Sequence, residues 1–364
     1  MVEWKKLGDV CSVHTGSQLN RNDMIDDGLY PVMNGGIDFS GYTNTYNETA
    51  NSITISQGGE SAGYVNWMKT DFWAGAHCYV VEHDAIIDKR YLYHTLKNKE
   101  RDIQQSKQGA GIPGLNRNTL YKQIIPVPSL SEQTRIVGIL DTFTASIENL
   151  KEQIAQRRKQ YEHYRDQLLD LEGKEGVDMK TIQDVCKKIC SGGTPSTSHK
   201  EYFDGNIPWL RTQEVDWKDV YDTEIKITEE AIANSSAKLI PANCVIVAMY
   251  GATAAKAAIN KIPLSTNQAC CNLEINDNMA LYKYVYHWIC KEYQNLKSMG
   301  EGSQNNINGQ KIKSYLIPVP SLSEQSRIVS ILDTFEASIA NLEAQLKERE
   351  KQYEYYRNKL LTFE

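Results

Sequence analysis

Residues 124–169 read IIPVPSLSEQTRIVGILDTFTASIENLKEQIAQRRKQYEHYRDQLL, and residues 316–361 read LIPVPSLSEQSRIVSILDTFEASIANLEAQLKEREKQYEYYRNKLL. At a constant offset of 192, 32 of the 46 positions are identical, which duplication produces and convergence does not. Weaker anchors carry the repeat outward. Asp9-Val10-Cys11 answers Asp184-Val185-Cys186, each followed by glycine (Gly16; Gly192 and Gly193), and Tyr91-Leu92-Tyr93-His94 answers Tyr284-Val285-Tyr286-His287. The chain is therefore two halves, each a variable block followed by a shared segment. These anchors lie 82 residues apart in the first half and 100 in the second, so the second block carries a net insertion of 18. The linear division is 1–125, 126–175, 176–317 and 318–364.

The shared segment reads as a long helix. Pro126-Val127-Pro128 cannot sit deep inside a helix, so the helix starts just after it, with Ser131 as the expected N-cap and Glu132 at the positive end of the dipole. From there to about Leu171 there is no proline and one glycine, Gly138. Forty residues make a rod of about 60 Å. Apolar residues recur every seven positions, with Leu140, Ile147, Ile154, Tyr161 and Leu168 on one seam position and Phe143, Leu150, Tyr164 and Leu171 on the other. The second copy repeats this with Leu332, Ile339, Leu346, Tyr353 and Leu360, and with Phe335, Leu342, Tyr356 and Phe363. Five heptads predict a coiled coil. The seam breaks once in each copy, at Arg157 and Arg349, either as a register-setting polar pair or as two arginines snorkelling outward. Two near-identical helices in one chain pack most simply on each other. The short connection from Leu171 to Met179, with Gly173 and Gly176, favours an antiparallel pair in a pseudo-twofold dumbbell.

The variable blocks read as mixed α/β (α+β). Strands are expected at 52–56, 78–82, 245–249 and 271–275, and helices at 88–105 and 278–297. No Walker loop, Gly-x-Ser-x-Gly, His-Glu-x-x-His, dinucleotide fingerprint or methyltransferase-type Asn/Asp-Pro-Pro-Tyr/Phe loop is present, so the chain is expected to have no catalytic residues. His77, Cys78 and His83 do not make a convincing ligand set, and no metal site is expected. The eight cysteines form no Cys-x-x-Cys pair and read as reduced, mostly buried thiols. No run of eighteen apolar residues and no signal-peptide pattern occurs, which excludes a spanning helix and points to the cytoplasm.

What the blocks do offer is polar, glycine-rich loops, suited to phosphate contacts and base edges. Ser17, Gln18 and Arg21, Ser56 and Gln57, and Gln108 are the candidate contacts in the first block, with Lys107 and Arg117 as basic ones. In the second block they are Thr194, Ser196, Arg211, Thr253, Lys256, Gln304, Asn305 and Asn306. The net charge of −6 argues against nucleic acid only as a whole-chain sum. Residues 1–88 hold 4 basic and 12 acidic side chains, whereas 89–125 hold 8 basic and 2 acidic. In the second half, 176–230 has 7 basic and 11 acidic residues, and 238–317 has 8 and 4. Basic charge thus gathers just before each long helix, either as an electrostatic footprint for nucleic acid or as a solvated helix face.

With these residues in view, the chain resembles a specificity subunit of a type I restriction-modification system over essentially its full length. The twin Pro-Val-Pro-Ser-Leu-Ser-Glu-Gln motifs at 126–133 and 318–325 carry the likeness, with Arg135-Ile136-Val137 and Arg327-Ile328-Val329. So do Ser191-Gly192-Gly193-Thr194-Pro195-Ser196, Ile207-Pro208-Trp209-Leu210-Arg211-Thr212 and Ser265-Thr266-Asn267-Gln268-Ala269. The resemblance implies two target recognition domains that read a bipartite, asymmetric site in double-stranded DNA, with the helices setting the spacer and docking two methyltransferase subunits. It also implies S-adenosylmethionine on those subunits for adenine methylation, and ATP with magnesium on a separate restriction and motor subunit. The second block departs from strict equivalence in being longer and less basic. A coiled-coil adaptor joining two proteins is the rival from another class, and a self-contained enzyme is the third reading, which lacks a catalytic set.

Overall fold

The computed structural model describes residues 2–107, 114–300 and 306–363. The chain forms two compact units that do not follow its linear division. One runs through Glu152 and resumes at Glu343; the other is Gln153–Leu342. Each unit therefore takes one variable block, the near part of one long helix and the far part of the other.

In the first unit the sheet order is Cys11–Thr15, Cys78–His83, Ser52–Ser56, Val65–Met68, antiparallel throughout. Ser-Ile-Thr-Ile-Ser is buried along its whole length because both faces of the sheet are covered. On one face Ile53 and Ile55, both 0% exposed, pack with Leu92 and Leu96 of the helix Lys89–Asn98. Burial of a side chain of this size contributes about 2 kcal/mol. On the other face Cys78 and Val80 pack with Met33, Met68, Phe72 and Ala74 beneath a smaller sheet of Gly41–Thr43, Tyr30–Met33 and Trp73–Ala74. The second unit repeats the layers with more strands, which is where its extra length goes. Its sheets hold five strands (Cys186–Ser191, Cys270–Ile275, Val245–Ala248, Ala257–Asn260, Asp219–Val220) and four (Ile225–Ile227, Ile207–Leu210, Leu264–Thr266, Leu239–Ile240). Val245 and Val247 face the helix Tyr282–Lys291, while Ile246 and Ala248 face the smaller sheet, the period-2 alternation of a strand buried on both sides. The four expected strands are present within a residue at each end. Both expected block helices are present too, each divided into two, as Lys89–Asn98 with Glu100–Gln105 and Tyr282–Lys291 with Tyr293–Ser298.

The shared motif has a different physical role from the one its prolines suggest. Ile124–Val127 is a strand pairing with Glu3–Lys6, and Leu316–Val319 pairs with Asp178–Thr181, both antiparallel. The long helices follow as Leu130–Leu168 and Leu322–Thr362. The N-cap is Ser129 rather than Ser131: its hydroxyl accepts from the Glu132 amide at 3.4 Å, and Ser321 caps Glu324 at 3.3 Å. Gln133 is fully buried, because its amide latches the helix start to the loop before the block helix. Its Oε1 accepts from the Asp88 amide at 2.7 Å, and its Nε2 donates to the carbonyls of Ile86 and Pro128. Gln325 makes the same three bonds, to Leu281, Met279 and Pro320.

Within each unit the two helices run antiparallel. In the first, Phe143 stacks on Tyr356 and Lys151 pairs with Glu350, so numbers rise on one helix as they fall on the other. In the second, Tyr164 stacks on Phe335. The seam residues Leu140, Phe143, Ile147, Leu150 and Ile154 and their partners Leu332, Phe335, Ile339, Leu342 and Leu346 are all buried or half-buried. Leu140 and Leu332 go into the block cores instead of between the helices. Tyr161 and Tyr353 turn to the block helices, with their hydroxyls 3.1 and 3.3 Å from His287 Nδ1 and His94 Nδ1. The two arginines do not pair with each other. Arg349 lies over Phe143 and Arg157 over Phe335, so each caps an aromatic stack as a cation over a ring.

Candidate nucleic-acid interface

Strand direction decides where the candidate residues go. In the first unit Thr15 pairs with Tyr79 and Ser56 with Cys78, so the loops after Thr15, before Cys78 and after Ser56 leave the sheet at one end. Gly16 is forced there: a Cβ on it would stand 2.0 Å from the Ala74 carbonyl oxygen. The chain passes under that segment and then presents Ser17, Gln18 and Arg21 to solvent. The loop at 57–61 meets the segment at 114–117 through the Gly58–Gly114 bridge and the Leu115 amide on the Gln57 carbonyl at 2.7 Å. Gln57 stays half-exposed, Arg117 is exposed beside the Tyr79 ring, and Lys107 Nζ rests on the Glu60 carbonyl at 3.0 Å. Arg101, Gln104, Gln105 and Lys107 line an open, polar depression next to it. Ser56 is a correction. It is 4% exposed and its hydroxyl donates to the Gly35 carbonyl, so it shapes the loop from inside.

The second unit has the same arrangement. Ser191 pairs with Cys271 and Ala248 with Cys270, which brings the loops 192–198, 249–254 and 267–269 to one sheet end. A Cβ on Gly192 would lie 2.1 Å from the Thr266 carbonyl oxygen, the same constraint as at Gly16. Thr194 and Ser196 are exposed, Thr194 bonding to Gln268 and Ser196 to Ser198. Gln268, an exposed side chain that the loop reading did not choose, therefore belongs to this surface; its signal was the Ser265–Ala269 stretch. Asn306 joins it, with Oδ1 accepting from the Gly251 amide at 3.4 Å. Thr253 is half-buried and donates to the Thr212 carbonyl. Gln108, Gln304 and Asn305 lie outside the described residues.

Several of the basic side chains expected to face nucleic acid are already ion-paired within their own unit. Arg211 is bound to Glu224 and faces Glu214, and Lys256 pairs with Asp216 at 2.6 Å, so both charges are already matched within the unit. Arg90 is committed to Asp141 at 2.7 Å between the rings of Trp67 and Tyr93, and Lys97 to Glu100 at 2.6 Å. Lys283 is committed to Asp333 at 2.5 Å. Part of each basic stretch thus fastens the block helix, and Lys107, Arg117 and Arg101 are the stronger candidates for phosphate.

The same fastening perturbs two titratable groups. Burial holds the His94 imidazole below its ordinary pKa, with its Asp141 hydrogen bond opposing that. Burial alone would raise the Asp141 carboxyl, but the hydrogen bonds from His94 and Arg90 hold it below the usual carboxylate range. All eight cysteines are free thiols, six of them buried, and burial pushes Cys11, Cys78, Cys186, Cys244 and Cys271 up to about 12. None of these five is a nucleophile at neutral pH on that footing.

The family model for the type I restriction modification DNA specificity domain matches residues 1–157 and again 174–351. The chain is 33% identical over 390 residues to the type I restriction enzyme EcoR124I/EcoR124II specificity subunit of Escherichia coli, covering 100% of this chain and 94% of that one. It is 32% identical over 196 residues to the type I restriction enzyme MjaIX specificity subunit of Methanocaldococcus jannaschii, covering 51% of this chain and 44% of that one. The fold matches the crystal structure of a type I restriction-modification S subunit from M. genitalium with a TM-score of 0.70 at 18% identity, over 100% of this chain and 97% of that one. The chain belongs to the type I restriction-modification DNA specificity family.

Proposed function

We propose that this protein is the DNA-recognition subunit of a type I restriction-modification complex, with each variable block reading one half of a bipartite, asymmetric target. One observation carries the reading. Two near-identical fastenings, the Gln133 and Gln325 latches, hold two sheets whose corresponding ends present different loops, Ser17-Gln18 with Gln57 in one and Thr194 with Gln268 in the other. Matched scaffolds with divergent loops yield two different half-sites. The family match covers both blocks, which an adaptor for two unrelated proteins does not call for. Double-stranded DNA and two methyltransferase subunits are the partners in this reading. Adenine methylation, with the base flipped from the duplex, falls to those subunits with S-adenosylmethionine, and cleavage to an ATP- and magnesium-dependent motor subunit. This chain supplies address without catalysis, in the cytoplasm. No helix among the described residues is long and apolar enough to cross a membrane.

The test is the affinity of the assembled methyltransferase complex for duplex DNA as salt rises. Counterion release predicts a fall of at least about tenfold between 50 and 200 mM salt. Lys107→Ala and Arg117→Ala should weaken binding to all sequences, while changes at Gln18, Gln57 or Thr194 should alter which sequence is methylated. Salt-independent binding would refute the reading, and unchanged affinity and preference across all five variants would refute the surface.

A further inference from the structure

Away from the loop surfaces, the block helix Tyr282–Lys291 meets both long helices of the second unit at a group of ionisable side chains. His287, Asp333 and Glu336 each bring one ligand-capable atom within 4.8 Å of the others. The duplication supplies an internal control, because the first unit holds His94, Asp141 and Thr144 at the matching positions. There the pair is closed: His94 Nε2 and Asp141 Oδ1 are 2.7 Å apart, a hydrogen bond. In the second unit His287 Nε2 and Asp333 Oδ1 stand 3.5 Å apart, and neither atom has a hydrogen-bond partner although both are buried.

The surrounding contacts accommodate an open lone pair on His287 Nε2. Tyr161 Oη lies 3.1 Å from His287 Nδ1 and 3.3 Å from Glu336 Oε1. A chain in which Nδ1–H donates to Tyr161 and the phenol donates to Glu336 satisfies both contacts and leaves Nε2 as an acceptor facing a carboxylate. Two acceptors with no donor between them are unfavourable when buried. Lys283 Nζ grips the other Asp333 oxygen, Oδ2, at 2.5 Å, which turns Oδ1 towards the histidine. Ligands about 2.0 Å from a tetrahedral ion are about 3.3 Å from one another, so 3.5 Å is the spacing of two ligands on one ion. The replacement of a neutral Thr144 by Glu336 adds a second carboxylate to the one at Asp333, whose other oxygen Lys283 already holds.

We propose that His287, Asp333 and Glu336 form a binding site for a divalent transition-metal ion of the zinc class, clamping the block helix of the second unit to the second long helix. A neutral imidazole with two carboxylates suits zinc, and the bonds from Tyr161 and Lys283 orient the ligands as metal sites require. The site has no counterpart in the first unit, so one ion per chain is the expected stoichiometry.

Zinc chloride is titrated into the chelator-treated full-length chain against a chromophoric competitor, with thermal melting in parallel. One equivalent should bind with a dissociation constant below about 1 μM, equivalent to roughly −8 kcal/mol, and raise the melting temperature. Glu336→Thr, which copies the folded sister position, and the isosteric Glu336→Gln should each weaken binding at least tenfold and remove the melting shift. X-ray absorption of the zinc-loaded chain should show nitrogen and oxygen neighbours without sulfur. No stoichiometric binding, undiminished binding in both variants, or sulfur neighbours from the cysteines would each overturn the proposal.

Discussion

His94 is fully buried, held between Asp141 Oδ1 at 2.7 Å and the Tyr353 hydroxyl at 3.3 Å. Because burial depresses its folded pKa below the ordinary 6.5, the unfolded chain takes up the proton first as pH falls. The sign follows from linkage: above about pH 6.5 neither state is protonated and this group leaves stability unchanged, and below that stability declines until the folded pKa is reached. Asp141 acts in the same sense but lower down: its carboxyl is held below the usual range, and the stabilisation this gives is lost as pH falls from the ordinary carboxylate pKa through its own depressed one. Chemical denaturation between pH 7.5 and 5 should therefore show stability falling with acidification, by at most about 1.4 kcal/mol per pH unit from His94. His94→Gln, which keeps an amide donor for Asp141, should flatten that part of the slope. An unchanged slope in the variant would place the titration elsewhere. None of this was readable in the chain. The Tyr-Leu-Tyr-His anchor announced a recurring position, but the partner Asp141 is 47 residues away and only packing makes the pair. Gln133 hid for a related reason, since a glutamine on an amphipathic helix reads as surface until its three buried bonds are seen.

At the scale of the element, the heptad pattern was legible because a seven-residue period over forty residues has few physical solutions. The central strands were legible because Ser-Ile-Thr-Ile-Ser and Val-Ile-Val-Ala are short, β-branched and bounded by turns. The short strand at Ile124–Val127 was not, since Pro126 within it argues against a ladder and only pairing with Glu3–Lys6 defines it. Nor was the role of the charges, because Arg211 meets Glu224 across 13 residues and Lys256 meets Asp216 across 40. Of the seam positions, Ile147 gives the cleanest test, being 9% exposed on a stretch that carries no block contacts of the Leu140 kind. Ile147→Asp removes a buried branched side chain and puts an unpaired carboxylate in its place, for a cost of about 3 kcal/mol or more. The second long helix from Glu343 onward should then become the first site of limited proteolysis, with the Ile147→Leu chain protected like the parent. Equal protection in both chains would show that the seam does not hold this segment.

At the scale of the whole molecule, the allocation of the helices carries the strongest consequence of the duplication. The first unit is incomplete without residues from 343 onward: Leu361, 3% exposed, belongs to its core, and Arg357 bonds Asn98 at 3.1 Å. The corresponding residue of the first long helix, Leu169, is 0% exposed in the core of the second unit. At the fixed offset, Tyr161 corresponds to Tyr353, Leu168 to Leu360 and Leu169 to Leu361. A chain cut after residue 175 thus retains a near copy of the segment it has lost, on the end of its own helix. That copy cannot fold back onto the start of the same helix, because a continuous helix of 39 residues places its ends about 58 Å apart. A second molecule can supply it, and two-fold exchange satisfies both copies at once. Residues 1–175 should therefore be a homodimer by analytical ultracentrifugation, and Leu169→Asp should render it monomeric or insoluble, since the carboxylate would enter the partner's core. A folded, soluble and strictly monomeric wild-type fragment would mean that the first block does not need the helix segment that the intact chain packs against it.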